Sequence, residues 1–141
     1  MAQEIDLKRF IDAQEPKYAT ALKEIENGKK QSHWMWYIFP QLKHLGRSDT
    51  ALFYGIENLA EAEAFYKHPV LGSRLMNISK ALLALDSDNA TQILGSPDDM
   101  KLKSCMTLFS SVQNADPIFE MVLQKFYHGQ EDKQTLELIN L

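Results

Sequence analysis

The chain has 141 residues, which fits a single domain with a core large enough for independent folding. Its composition of 45% hydrophobic and 24% charged residues is typical of a globular protein, and its net charge of −4 argues against nucleic acid or an anionic membrane as partner. No stretch approaches the roughly 20 apolar residues that span a bilayer, and the single Cys105 cannot form an internal disulfide. We therefore expect a cytoplasmic protein.

The first part of the chain contains helix start and stop signals rather than the alternation of a strand. Asp6 can cap a first short helix. Pro16 stands where a second helix would begin, and Gly28 is its stop. Ser32 could cap a helical turn over HWMWYIF, which Pro40 must interrupt.

The middle of the chain contains three further helix starts. Ser48, after Gly46, opens a short helix, and Asn58 with Glu61 forms a pair typical of a capping box. Pro69 opens the longest candidate helix, whose apolar residues recur at spacings of four and three. This stripe, which we expect in the core, consists of Leu71, Leu75, Ile78, Leu82 and Leu85.

The last part of the chain follows the same pattern. Asp88 can cap a brief helix, and Ser96 to Asp99 form a strong start in which acidic residues complement the helix dipole. The twelve residues from Ser104 to Ala115 carry no formal charge, which is typical of a buried central helix or of one that lines a pocket. Asp116 precedes the next helix, and Asp132 caps the last one. The signals predict an all-α fold, a compact single-domain bundle of seven to nine mostly short helices over residues 1–141.

Charge is unevenly distributed along this predicted bundle. Between Glu26 and Asp49 there is no acidic residue. The basic residues and histidines in this interval are Lys29, Lys30, Lys43, Arg47, His33 and His44. A basic and aromatic segment in an acidic protein indicates either the solvated rim of a core segment or a binding surface.

The aromatic segment QSHWMWYIFPQ, residues 31–41, contains both tryptophans of the chain. Trp34 and Ile38 are four residues apart and share a helical face, whereas Trp36 lies on another. The two indoles therefore cannot both enter one narrow core stripe. Either the segment lies between two layers, or it is not a regular helix, or one indole lines a pocket. The sequence does not say which tryptophan is exposed.

Several polar residues near this segment could complete a pocket. An aromatic ring in a dry site stacks on a flat ring or a cation, and Gln41, Arg47 and Ser48 follow within a few positions. Further along, Arg74 could hold a phosphate or carboxylate through two hydrogen bonds, or simply form a surface ion pair. Lys101 and Lys103 stand at the head of the uncharged helix, where they pair either with an anion or with the preceding aspartates.

Metal binding and cysteine chemistry have little support in the sequence. The histidines, His33, His44, His68 and His128, show no i,i+4 pairing, and no Cys/His cluster has zinc spacing. Cys105 lies inside a predicted helix, where an inert buried thiol is more usual than a nucleophile. We expect no metal site and no cofactor.

Five long blocks of the chain resemble a bacterial family of small uncharacterised proteins, known as domain of unknown function eighteen-ten and sometimes labelled calpastatin. The blocks are DLKRFIDAQ, GKKQSHWMWYIFPQLKHLGRS, YGIENLAEAEAFYKHPVLGSRL, DDMKLKSCMTLFSSV and FEMVLQKFYHGQEDKQTLELI. This resemblance implies a compact helical fold without an established activity. The family favours arginine at the position of Lys103 and often serine at that of Cys105, which weakens a nucleophilic role for the thiol. The disordered, aromatic-poor nature of calpastatin-type inhibitors does not fit this composition.

Two shorter blocks, HPVLGSRL and FEMVLQKFY, are also similar to helical ADP-ribose-linked N-glycosidases. That family has a Gly-Arg pair on a short helix and a later helix that ends in Lys-Phe. The glutamate-bearing catalytic motif of the family is not clearly present. Glu57, Glu61 and Glu63 are nominal candidates.

Three functions remain open, and the sequence does not say whether the protein is an enzyme. The first is binding of a nucleotide-like or other anionic small molecule. Its candidate ligand-binding residues are Trp34, Trp36, Gln41, Arg47, Ser48, Arg74, Lys101 and Lys103, and its weak catalytic candidates are His33 and His68. The second is a non-catalytic module that binds a peptide or a protein. The third is an ADP-ribose-type N-glycosidase.

Overall fold

Helices form all the regular secondary structure in residues 5–140, which are the residues that the computed structural model describes. The ten α-helices are α1 (Lys8–Gln14), α2 (Tyr18–Glu26), α3 (Met35–Ile38), α4 (Asp49–Tyr54), α5 (Leu59–Lys67), α6 (Leu71–Ala84), α7 (Ala90–Leu94), α8 (Asp98–Ser110), α9 (Ile118–Tyr127) and α10 (Lys133–Ile139). One turn of 3-10 helix, Lys43–Leu45, precedes α4. Seven of the ten helices have seven residues or more, and the all-α prediction is confirmed. Residues 1–4 and 141 of the predicted domain lie outside the described range. Within it, none of the helices combines the length and apolar character that crossing a membrane requires.

Three of the predicted helix caps are confirmed by hydrogen bonds. The side chains of Ser48, Asn58 and Asp132 each accept a hydrogen bond from the backbone N–H three residues later, at 3.1, 3.0 and 2.9 Å. These bonds satisfy N–H groups that have no partner within their own helix. The starts of α4, α5 and α10 are therefore set by local sequence.

Two predicted caps are wrong. Asn89, not Asp88, accepts the hydrogen bond at the start of α7. Ser32 caps no helix, because its hydroxyl donates to the carboxylate of Glu24 on α2 at 2.6 Å. The helical turn that Ser32 was expected to open begins only at Met35 and has no side-chain cap.

Helix α8 forms the centre of the bundle and packs against α5, α7, α9 and α10. Its residues 104–109 are all buried, as the absence of charge predicts. Its hydroxyl groups donate to carbonyl groups one turn earlier, Ser104 to Met100 at 3.2 Å and Thr107 to Lys103 at 2.8 Å. Because these polar groups are satisfied within the helix, they can be buried without water.

Helix α6 forms the second core layer, and it packs against α2, α5 and α9. The predicted stripe faces inward: Leu71, Leu75, Ile78 and Leu82 are buried, and Leu85 packs against the core from a partly buried position. At the start of the helix, Gly72 lies so close to the carbonyl of Tyr66 that an added Cβ would stand 2.0 Å from its oxygen. The absence of a side chain therefore sets the distance between α5 and α6.

A short pairing between two extended positions closes the loop that carries α4. Leu42 and Ile56 form an isolated parallel bridge, in which Lys43 N–H donates to Ile56 O at 2.8 Å and Ile56 N–H donates to Gln41 O at 2.9 Å. Gly55 allows this approach, because a Cβ there would stand 2.3 Å from the Cα of Lys43. The bridge fixes both ends of the segment that contains Arg47 and Ser48.

The Gly55→Ala substitution should destabilise the protein by about 1–3 kcal/mol, because the new methyl group meets backbone that cannot rotate away. Urea unfolding followed by circular dichroism measures this loss. Thr50→Ala, an exposed change in the same loop, is the control and should stay within about 0.5 kcal/mol of the parent. If Gly55→Ala unfolded at the same urea midpoint as the parent, this result would contradict the close approach of Gly55 to the backbone of Lys43.

Candidate functional site

The two tryptophans occupy different environments. Trp34 is completely buried, and its indole N–H donates to Oε1 of Glu24 at 2.9 Å. Trp36 is only partly buried, and the Nζ of Lys101 lies 5.0 Å from the centre of its ring. Trp34 therefore belongs to the core, whereas Trp36 is the indole that reaches the surface of the cleft region described below.

Glu24 holds the start of the aromatic segment against α2. Its carboxylate accepts hydrogen bonds from the N–H of Gln31 at 2.7 Å, from the N–H and hydroxyl of Ser32 at 3.0 and 2.6 Å, and from the indole of Trp34. Partial burial on its own raises the pKa of Glu24, but these hydrogen bonds outweigh it and lower the pKa to about 2. The ionised carboxylate is thus the anchor of residues 31–34.

A cleft of about 360 Å³ lies between three segments of the chain: the turn that leads into α4, the first half of α8 and the start of α10. Four of the predicted ligand-binding residues line it, namely Gln41, Arg47, Ser48 and Lys101. Trp36 lies in a narrow adjoining recess that shares Gln41, Ala51 and Lys101 with the cleft. Five of the eight predicted residues are therefore brought together in one region.

The charges of the cleft are only partly balanced within the protein. Lys101 forms an ion pair with Asp98 at 3.5 Å, and the same carboxylate pairs with Lys30 at 3.0 Å. Arg47 is exposed, and no carboxylate among residues 5–140 lies within 4.0 Å of its guanidinium. A positive charge at the cleft thus remains available to a ligand.

Lys30 and Lys101 also join the two tryptophans to the head of α8. The Nζ of Lys30 lies 5.3 Å from the ring centre of Trp34, and Lys101 covers Trp36 in a similar way. Because Asp98 lies between the two ammonium groups, the aromatic segment and α8 are tied together by one charge cluster. The sequence predicts the local pair of Lys101 with Asp98, but it does not predict the contribution of Lys30.

Arg74 and Lys103 do not line the cleft. Arg74 forms an ion pair with Glu15 at 3.1 Å and covers the ring of Tyr18 at 5.3 Å. Lys103 lines a neighbouring groove with residues 130–134 and 136, and this groove shares Asp132 and Gln134 with the cleft. The surface ion pair, which was the alternative interpretation of Arg74, is the one observed.

The two histidine candidates do not meet each other or the cleft. The Nδ1 atom of His68 accepts hydrogen bonds from the N–H groups of Val70 and Leu71 at 3.1 and 3.2 Å, so this residue caps the start of α6. His33 is exposed next to the buried Trp34. Neither lines the 360 Å³ cleft.

The glutamate candidates for glycosidase chemistry each pair with a cation and lie outside the cleft. The pairs are Glu57 with Lys43 at 3.6 Å, Glu61 with Arg9 at 2.8 Å and Glu63 with Lys67 at 2.7 Å. Cys105 is fully buried, and burial raises the pKa of its thiol. Over the described part of the chain, no group of three or more His, Cys, Asp or Glu side chains could hold a metal ion.

Sequence reasoning missed three polar residues of the cleft, Ser104, Asp132 and Gln134. Asp132 was recognised only as a helix cap, and Ser104 only as part of an uncharged helix. The fold brings them to the cleft because α10 packs against α8, where the N–H of Asp132 donates to the hydroxyl of Thr107 at 2.8 Å. No local signal in the sequence predicts this contact.

Together these features define a compact helical domain with a mixed-charge cleft at the N-terminal end of its central helix. Residues 4–139 match the family described as "Protein of unknown function (DUF1810)", and the chain belongs to this family. It is also similar to a conserved hypothetical protein, Rv1873 from Mycobacterium tuberculosis, whose crystal structure was solved at 1.38 Å. The two share 43% sequence identity with a TM-score of 0.94 over 96% of this chain and 97% of the other. A search of curated proteins found no match.

The hydrogen bonds to Glu24 should make stability depend on acid pH. Because folding lowers the pKa of this carboxyl to about 2, its contribution is fully present above the unfolded value of about 4.3 and is lost as the pH falls towards 2. The stability gap between the parent and Glu24→Gln, measured by urea unfolding at several pH values, should therefore shrink between pH 5 and pH 2.

The control for this experiment is Glu26→Gln, which removes the same charge from the exposed face of α2 without touching these hydrogen bonds. A gap for Glu24→Gln that has the same size at every pH would contradict the role assigned to the carboxylate.

Truncation should also separate the two tryptophans. Trp34→Ala should lower the free energy of unfolding by about 3–5 kcal/mol, because it empties a buried site, whereas Trp36→Ala should cost less than about 2 kcal/mol. Circular dichroism during urea unfolding measures both without relying on indole fluorescence. Equal losses would place both rings in the core.

Proposed function

We propose that the protein binds a small anionic molecule, of nucleotide size or smaller, in the cleft at the head of α8. The observation that carries this proposal is the exposed guanidinium of Arg47, which lines the cleft without a carboxylate partner among residues 5–140. A guanidinium binds carboxylate or phosphate through two parallel hydrogen bonds.

The neighbours of Arg47 would complete the recognition of an anion. The hydroxyl oxygen of Ser48 accepts the N–H of Ala51 at 3.1 Å, so its own O–H is left to donate to a ligand. Gln41 adds an amide to the same wall. Lys101 would add a second positive charge, although Asp98 already balances part of it.

The size of the cleft limits the ligand. Its volume of about 360 Å³ lies at the lower end of the range of roughly 300–1,000 Å³ for small-molecule sites. A mononucleotide, a sugar phosphate or a small organic acid fits this volume better than a dinucleotide does. Stacking on Trp36 would require the ammonium group of Lys101 to leave the ring, so the anion contact has the stronger support.

A peptide-binding role is the second candidate, and exposed apolar side chains favour it. On α4, Leu52 is 39% exposed and Phe53 is 58% exposed, and Met100 at the cleft is 51% exposed. Met100 lines the mixed-charge cleft, and Leu52 and Phe53 belong to the helix that contributes Ala51 to its wall, so these residues would suit a peptide with apolar and acidic side chains. N-glycosidase catalysis has less support, because its candidate glutamates pair with cations outside the cleft.

Isothermal titration calorimetry with AMP, ribose 5-phosphate and inorganic phosphate tests the small-molecule proposal. At least one of these anions should bind at millimolar concentration or below, and Arg47→Gln should weaken that binding about tenfold or more, because charge-assisted hydrogen bonds contribute roughly 1.5–3 kcal/mol. Lys80→Gln, an exposed change on α6 away from the cleft, is the charge-matched control.

Two results would contradict the small-molecule proposal. One is the absence of any binding heat with all three anions and also with the aminated ligands phosphoethanolamine and γ-aminobutyrate. The other is equal weakening by Arg47→Gln and Lys80→Gln, which would indicate only nonspecific charge attraction. If an acidic peptide bound instead, and Phe53→Ser abolished that binding, the peptide-binding candidate would replace it.

A further inference from the structure

The cleft contains an unbalanced negative charge as well as an unbalanced positive one. Asp132 lines the same cleft as Arg47. No cation among residues 5–140 lies within 4.0 Å of its carboxylate. A ligand that carried only anionic groups would satisfy Arg47 and would be repelled by Asp132.

The position of Asp132 is fixed from both sides. Its backbone N–H donates to Thr107 on the central helix at 2.8 Å. Its Oδ2 atom accepts hydrogen bonds from the N–H and the hydroxyl of Thr135 at 2.9 and 2.6 Å. These contacts occupy one carboxylate oxygen, while Oδ1 has no hydrogen-bond partner among residues 5–140. The carboxylate is thus fixed in position at the wall of the cleft. Its Oδ1 atom can still accept a hydrogen bond from a ligand.

We infer that the ligand of this cleft is a small zwitterion, whose anionic group binds Arg47 and whose ammonium group binds Asp132. This inference rests on the proposed function and narrows its ligand class to amino acids, phosphorylated amino alcohols and similar compounds. The lining supports the narrower class, because Arg47 and Asp132 are the two charges there that have no ionic partner within 4.0 Å among residues 5–140, whereas Lys101 shares Asp98. Such a ligand compensates both charges at once, and an amino acid would add no net charge to the cleft.

Matched ligand pairs test this inference by isothermal titration. Phosphoethanolamine is compared with ethyl phosphate, and γ-aminobutyrate with butyrate, because each pair differs in one amino group. For the parent protein, the aminated member of at least one pair should bind about tenfold more tightly or better. For Asp132→Asn that advantage should disappear, while Arg47→Gln should weaken both members.

The Asp132→Asn variant is suitable because asparagine caps a helix about as well as aspartate does. Asp132→Ser is a second neutral cap, and it controls for new contacts that the asparagine amide could make with the ligand. Circular dichroism checks that both variants fold. The control is Asp116→Asn: its carboxylate also accepts a backbone N–H, from Ile118 at 2.9 Å, but it does not line the cleft. This control should keep the full advantage of the amino group.

Each outcome decides between the two proposals. Equal binding of both members of each pair, or an advantage that persists in Asp132→Asn and Asp132→Ser, would overturn the zwitterion inference and leave the anion-binding proposal in place. Failure of all four ligands and of the nucleotide and phosphate probes would overturn the anion-binding proposal itself. Loss of the advantage in Asp116→Asn as well would show that overall charge, not Asp132, sets the preference, and would also overturn the inference.

Discussion

The burial of α8 is the constraint on which the rest of this structure depends. A helix that contacts four others cannot carry charges along its length, because each would need a partner in the core. The polar side chains in the buried part of α8 are instead uncharged hydroxyl groups, those of Ser104 and Thr107, which donate hydrogen bonds to backbone carbonyl groups of the same helix. Charged groups are therefore confined to the first turns of α8, where it emerges from the bundle. The position of the cleft follows directly, since Asp98 and Lys101 lie at that end.

The cluster of Lys30, Asp98 and Lys101 connects this central helix to the aromatic segment. Each lysine covers one tryptophan and shares one carboxylate, so the two indoles keep a fixed relation to the head of α8 although they face different environments. Glu24 fixes the other side of the same segment. The short helix α3 has only four residues and no side-chain cap, and a helix of that length is not stable by itself. These side-chain contacts and its burial stabilise it instead.

Much of the fold could be predicted because its signals are local. Caps such as Ser48, Asn58 and Asp132 act on the next turn of chain, and the apolar stripe of α6 repeats with the helical period. Trp34 and Trp36 do occupy different environments, although Trp34 lies just before α3 rather than within it. Which of the two indoles meets the core depends on how the other helices pack. Local sequence signals do not predict that packing.

The candidate site was predictable only in part, for the same reason. Gln41, Arg47 and Ser48 lie close together in sequence, so they stay together in the fold. Grouping Arg74 with them assumed a contact between distant helices, and its actual partner is Glu15. Ser104 and Asp132 were missed because only the packing of α10 against α8 brings them to the cleft. Long-range contacts, rather than residue chemistry, limited the prediction.

The bridge between Leu42 and Ile56 also marks off a segment whose helices are less buried than those of the bundle. It ties the chain on both sides of the 3-10 turn and α4, and neither of these elements contains a fully buried residue. Opening that segment exposes little apolar surface, so it requires much less free energy than unfolding the core. Amide hydrogens of α4 should accordingly exchange with solvent faster than those of α8. One wall of the cleft therefore lies in a segment that should open more easily than the bundle, and occupancy of the cleft would be coupled to that local equilibrium.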